Sequence, residues 1–103
     1  MEQSQRWRVV LDFGEDFPML RADSVYLRMI KTCWHQLPTH HPHITCSALQ
    51  LRSDGVRGYL YGNDVREATA ALDAFRHRTT AVIRRLRGQP QAIIWDYVQF
   101  VAE

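Results

Sequence analysis

No apolar run in this chain approaches the ~20 residues that a membrane-crossing helix needs. Its opening, Met1-Glu2-Gln3-Ser4-Gln5, lacks the basic start and apolar centre of a signal peptide. A cytoplasmic protein without a membrane partner is therefore expected. Its two cysteines, Cys33 and Cys46, are then expected as reduced thiols rather than a disulfide. Glycine-rich phosphate loops and the Gly-x-Ser-x-Gly nucleophile elbow are absent, which removes the commonest nucleotide cradle and one common serine nucleophile. There is no internal repeat, low-complexity tract or linker. No acid occurs between Asp73 and Asp96.

What is present fits one domain, residues 1–103. A domain of this size buries roughly 60–70% of its unfolded surface, enough to fold without staples. Apolar residues make up 46% and charged residues 23%, which excludes a disordered chain. The net charge of +2 is too small to dictate a partner.

The apolar pattern changes period along the chain. Residues 6–13, RWRVVLDF, alternate, with Trp7, Val9, Leu11 and Phe13 on one side and Arg6, Arg8 and Asp12 on the other. That is a strand buried on one face. Helical spacing follows over about 19–37 (Tyr26, Met29, Ile30, Cys33, Trp34, Leu37), with Asp16 or Asp23 as N-cap and Pro38 as the stop. Residues 43–52 and 56–62 read as two strands joined at Ser53-Asp54-Gly55, where Asp-Gly suits the positive φ of a tight hairpin. A second helix spans about 65–87, started by Asn63 or Asp64 and stopped by Gly88. Residues 91–101 form the last strand, with Ile94, Val98 and Phe100 on one face and Ile93, Trp95, Tyr97 and Val101 on the other.

The order predicts an α+β, ferredoxin-like βαββαβ fold: a four-stranded antiparallel sheet with two helices on one face. The other face would be uncovered, and apolar residues on both sides of the last strand would make it sticky. An exposed apolar face calls for a partner, and a second copy is the simplest one.

Four features carry candidate chemistry. Cys33, His35, His40, His41, His43 and Cys46 crowd one stretch. Cys33 and His35 are two apart on a helix and diverge, however, and no CxxC or HExxH spacing supports them. A helix-to-strand loop with solvated histidines is expected, with no metal and no cofactor. The strand VRGYLYG comes second. Arg57, Gly58, Tyr59 and Tyr61 resemble the first, second, third and fifth positions of the third-strand motif of the RNA-recognition motif. Leu60, Gly62 and Asp64 depart from it, and Val10 stands where the first strand would carry an aromatic. That resemblance implies base stacking on Tyr59 and Tyr61. Read as ordinary strand residues, the same tyrosines would pack an interface. Third, Arg76, Arg78, Arg84, Arg85 and Arg87, with His77, spread over the outer side of the second helix. They could meet phosphates or an acidic protein patch, or simply complement the helix dipole. Fourth, if two copies closed into an α/β barrel with a cavity between sheet and helices, His77, Trp34 and Trp95 would line an enzyme or small-ligand site.

The functional expectation is a small non-catalytic binding or regulatory module of the adaptor or inhibitor type. It would act through protein–protein contacts at Tyr59, Tyr61, Trp95 and Tyr97, as a homodimer. Nucleic-acid binding through the arginine helix and the tyrosines is the alternative, and the dimeric barrel is a further one.

Overall fold

A computed structural model describes residues 4–17 and 25–103; the side chain of Tyr97 is outside that description. The described chain runs β1 (Gln5–Phe13), α1 (Val25–His35), α2 (Leu37–His40), β2 (Thr45–Cys46), β3 (Gln50–Leu51), β4 (Gly55–Gly62), α3 (Val65–Arg87) and β5 (Trp95–Ala102). All pairings are antiparallel, in the order β2-β4-β1-β5, with β3 also pairing to β4.

This corrects the expected four-stranded, two-helix, ferredoxin-like arrangement. The sheet has five strands and the described chain three helical segments. Two local causes account for the difference. The strand expected over 43–52 is broken after Ser47, whose N–H still donates to the Tyr59 carbonyl at 2.9 Å but whose hydroxyl replaces its carbonyl as the acceptor. Tyr59 donates its backbone N–H to Ser47 Oγ (2.8 Å), while the Ser47 carbonyl accepts from the Trp34 indole (2.6 Å). The helix expected over 19–37 also ends earlier: α1 stops at His35, and Pro38 lies in the first turn of α2 instead of terminating α1. Proline is tolerated there because first-turn N–H groups have no helical partner. Of its two candidate caps, Asp23 lies outside the described residues. Asp16 instead accepts the Ile93 N–H at 2.8 Å and ties the end of β1 to the segment entering β5.

α3 matches its expected range. Asp64 accepts the Arg66 N–H at 2.9 Å as N-cap, and Gly88 closes the helix with a left-handed φ of 64°. Its buried Ala68, Leu72, Phe75 and Ile83 join Trp7, Val9 and Leu11 of β1, Val56 and Leu60 of β4, and Ile30 and Trp34 of α1 in one hydrophobic cluster, and Thr79 is buried on the same stripe. Trp34 meets Phe75 edge to face at 5.4 Å between centroids.

The last strand departs from its expected facing. Leu11 pairs with Val98 but Phe13 pairs with Trp95, so two steps on β1 match three on β5. That extra residue is a β-bulge, which reverses the facing of Trp95 relative to the residues after it. Trp95 therefore points inward with Val98 and Phe100, only 8% exposed, and donates its indole N–H to Thr79 Oγ1 at 2.9 Å.

A candidate interaction face on the sheet

Strand alternation builds the face opposite the core. Trp7, Val9 and Leu11 are buried, so Arg6, Arg8, Val10 and Asp12 stand on the other side of β1. On β4, Val56, Gly58 and Leu60 are buried, and Arg57, Tyr59 and Tyr61 are half-buried on the same outer face. The register sets Arg6 opposite Tyr61, Arg8 opposite Tyr59, and Val10 opposite Arg57. β5 adds Gln99 opposite Val10 and Val101 opposite Arg8.

These residues interact as cross-strand and diagonal neighbours do. The Arg6 guanidinium lies 5.0 Å from the centre of the Tyr59 ring, a cation–π contact. The Tyr59 and Tyr61 rings are 6.4 Å apart and tilted by 32°. Arg6 and Arg8 share Glu103 at 3.1 and 3.6 Å, and Arg57 is shared by Asp54 at 3.3 Å and Asp12 at 3.5 Å. Exposed pairs of this kind contribute little stability. Their effect is to brace three arginine side chains around the tyrosines. Asp12 Oδ1 is buried without a hydrogen bond and has only the longer charge contact to Arg57.

A concavity of about 580 Å³ opens beside Tyr59, lined by Arg8, Ser47, Gln50, Arg52 and Arg57 among others. Its origin is the broken strand. With the Ser47 hydroxyl in place of its carbonyl as acceptor, residues 48 and 49 leave the ladder between β2 and β3. Ser47→Ala would strip the Tyr59 N–H of its acceptor. The expected cost is about 1–3 kcal/mol, the penalty for a polar group left unpaired. Urea denaturation checks it, and a loss under about 0.5 kcal/mol would mean that water replaces the hydroxyl freely.

The other candidates lie elsewhere. Trp95 is in the core, so the expected quartet reduces on this face to Tyr59 and Tyr61; Tyr97 belongs to β5, with its side chain outside the described part. The arginines of α3 are separated from the tyrosines by the core, because α3 presents its apolar stripe to the sheet. No single flat ligand can touch Tyr59 and Arg85 together. Several of these arginines also have local partners: Arg76 reaches Asp73 at 3.8 Å, Arg78 reaches Gln36 at 3.4 Å, Arg84 donates to the Ala92 carbonyl at 2.9 Å, and Arg87 reaches Gln89 at 3.4 Å.

Among the described residues, no three His, Cys, Asp or Glu side chains come together as metal ligands. The thiols sit at the core margin, Cys33 against Met29 Sδ and Cys46 against the Trp34 carbonyl. Burial pushes both thiols upward in pKa, with Arg78 partly opposing the shift at Cys33, so neither is an activated nucleophile. Trp34 and Trp95, proposed walls of a barrel cavity, fill the core instead, and both indole N–H groups are used internally.

The chain matches no protein-family model, no curated protein and no solved structure.

No helix among the described residues is long and apolar enough to cross a membrane. The sequence pattern singles out the tyrosines but not Arg52, Ser47 or the grouping of Arg6, Arg8 and Arg57 around them. Alternation in RWRVVLDF did set Arg6, Arg8 and Asp12 on one side. Pairing that side with Tyr59 and Tyr61 needed the β1–β4 register, which no local pattern encodes.

Proposed function

We propose that this chain is a non-catalytic binding module that engages another protein through the outer face of its sheet, centred on Tyr59 and Tyr61. The observation that carries this reading is the composition of the face. Two half-buried tyrosines are set among arginines that alternate with Asp12, Asp54 and Glu103, beside an open concavity. Tyrosine and arginine dominate the energetics of protein interfaces, and a mixed-charge rim gives register and specificity. A nucleic-acid strand would meet three carboxylates among its phosphates, and Arg6 already occupies a position over the Tyr59 ring. Arg52 lacks a carboxylate within ion-pair distance among the described residues and would take an acidic group of the partner. A different chain is favoured over a second copy, since Trp95 adds no apolar area here and two copies would set arginine against arginine.

The test compares proteins retained from the source cells by wild type and by Tyr59→Ala/Tyr61→Ala, followed by titration of a purified partner. Tyr59→Ala is expected to weaken binding at least ~30-fold, the equivalent of a hot spot of about 2 kcal/mol. Arg85→Glu, on the far side of the core, should change it less than ~2-fold. Oligonucleotide anisotropy that falls steeply with salt and requires Tyr59 would replace the protein partner with single-stranded nucleic acid. A concentration-dependent dimer in sedimentation that Tyr59→Ala abolishes would make the partner a second copy.

A further inference from the structure

We propose that the cleft between α3 and the segment entering β5 is a binding site for a phosphate group. It is separate from the sheet face and does not rest on the protein-partner reading. The cleft holds about 130 Å³, and Arg76, His77, Thr80 and Arg84 form one wall, with Ile94 and Trp95 opposite. Arg76, Thr80 and Arg84 recur at i, i+4 and i+8, so they stand in a row on one side of the helix.

Arg76 Nε is buried with no hydrogen-bond partner, while the side chain as a whole is 35% exposed, so a ligand would meet its terminal amino groups. Asp73 holds those groups only loosely: its closest approach is 3.8 Å, to Nη1. Arg84 is fixed through Nε, which donates to the Ala92 carbonyl at 2.9 Å, and it has no carboxylate within ion-pair distance among the described residues. Its terminal amino groups therefore remain to meet a ligand. The Trp95 N–H is taken by Thr79 Oγ1, so that side of the cleft is an apolar wall.

Charge and size select the ligand. The chain has no acid between Asp73 and Asp96, so Asp73, at 3.8 Å from Arg76, is the one carboxylate of α3 paired with the row, and Arg84 has none among the described residues. Two guanidinium groups, an imidazole and a hydroxyl suit a tetrahedral oxyanion with several acceptors, and arginine forks match phosphate geometry. At about 130 Å³ the cleft has room for one such anion. The phosphate belongs either to a free small molecule or to a chain that lies across the rim.

Isothermal titration of the full chain with inorganic phosphate, at constant ionic strength against chloride, tests the site. Saturable one-to-one binding is expected. Arg76→Gln should weaken it at least 10-fold and Thr80→Val 3-fold or more, while Arg85→Gln should leave it within 2-fold. The unliganded melting temperature of each variant separates lost binding from lost folding. A competing oligonucleotide that displaces phosphate, and whose own binding falls with Arg76→Gln, assigns the cleft to a polymer's phosphate. An oligonucleotide that neither displaces phosphate nor responds to Arg76→Gln assigns it to a free small phosphate. A heat no larger than that of chloride, or equal losses in Arg76→Gln and Arg85→Gln, would reduce the effect to general charge attraction and overturn the proposal.

Discussion

Trp34→Ala is expected to cost about 3–5 kcal/mol, in the range of large aromatic truncations in a core. Trp34 is fully buried and packs edge to face on Phe75. Gly58 lies beneath its ring so closely that a Cβ there would approach Cζ2 to 2.8 Å. The same side chain holds the Ser47 carbonyl, so its loss both opens a cavity and releases the strand break beside Tyr59. Against a total stability of about 5–15 kcal/mol, the variant would stand near unfolding. Trp34→Phe separates the two roles. It keeps a ring in the pocket but leaves the carbonyl unpaired, at an expected cost of about 1–3 kcal/mol. Equilibrium urea denaturation followed by far-UV circular dichroism reads both. A loss below about 1.5 kcal/mol for the alanine variant would contradict the wedge role given to Trp34 here.

The second large effect is expected at Gly55, for a reason other than the one its sequence context suggests. Asp54-Gly55 reads as a hairpin turn requiring positive φ, yet among the described residues Gly88 is the one glycine with positive φ. Gly55 is the first residue of β4 and pairs with Asp12. A Cβ there would fall on the Leu11 carbonyl oxygen and crowd the Asp12 Cα, both backbone atoms of the adjacent strand. Backbone in the middle of a sheet cannot rotate aside as a side chain can. Gly55→Ala is therefore expected to reach or exceed the ~3 kcal/mol upper end of overpacking costs. Gly88→Ala is a useful comparison, since it meets open space and strains only φ. If Gly55→Ala melts within a few degrees of wild type, β1 and β4 are farther apart at this end than described.

Much of the local structure was legible in the sequence because short-range forces write it there. The alternation of RWRVVLDF located β1, and the capping signals bounded α3 at Asp64 and Gly88. The inward set of the long helix was readable for the same reason: burial repeats with the helical period.

The misreadings share one physical source. Pro38 stops a helix only if the chain has not already turned, and α1 ends three residues before it. The break between β2 and β3 depends on the Trp34 indole, 13 positions from Ser47, so no window of strand propensity contains its cause. Trp95 was placed on the outer face by strict alternation. Its true position depends on a bulge relative to β1, at the opposite end of the sequence.

By itself, then, the sequence determined where strands and the long helix lie, and which residues of β1 and α3 turn inward, because those follow from dihedral preference and the period of burial within one segment. Only the tertiary structure decided which side chains share a surface. Pairing register joined Arg6 and Arg8 to Tyr59 and Tyr61, and the core's thickness parted those tyrosines from the arginines of α3. The segment entering β5 set Ile94 and Trp95 across a cleft from Arg76, Thr80 and Arg84 of α3. These are contacts between residues distant in the chain, and their geometry exists only once the chain has closed around its core.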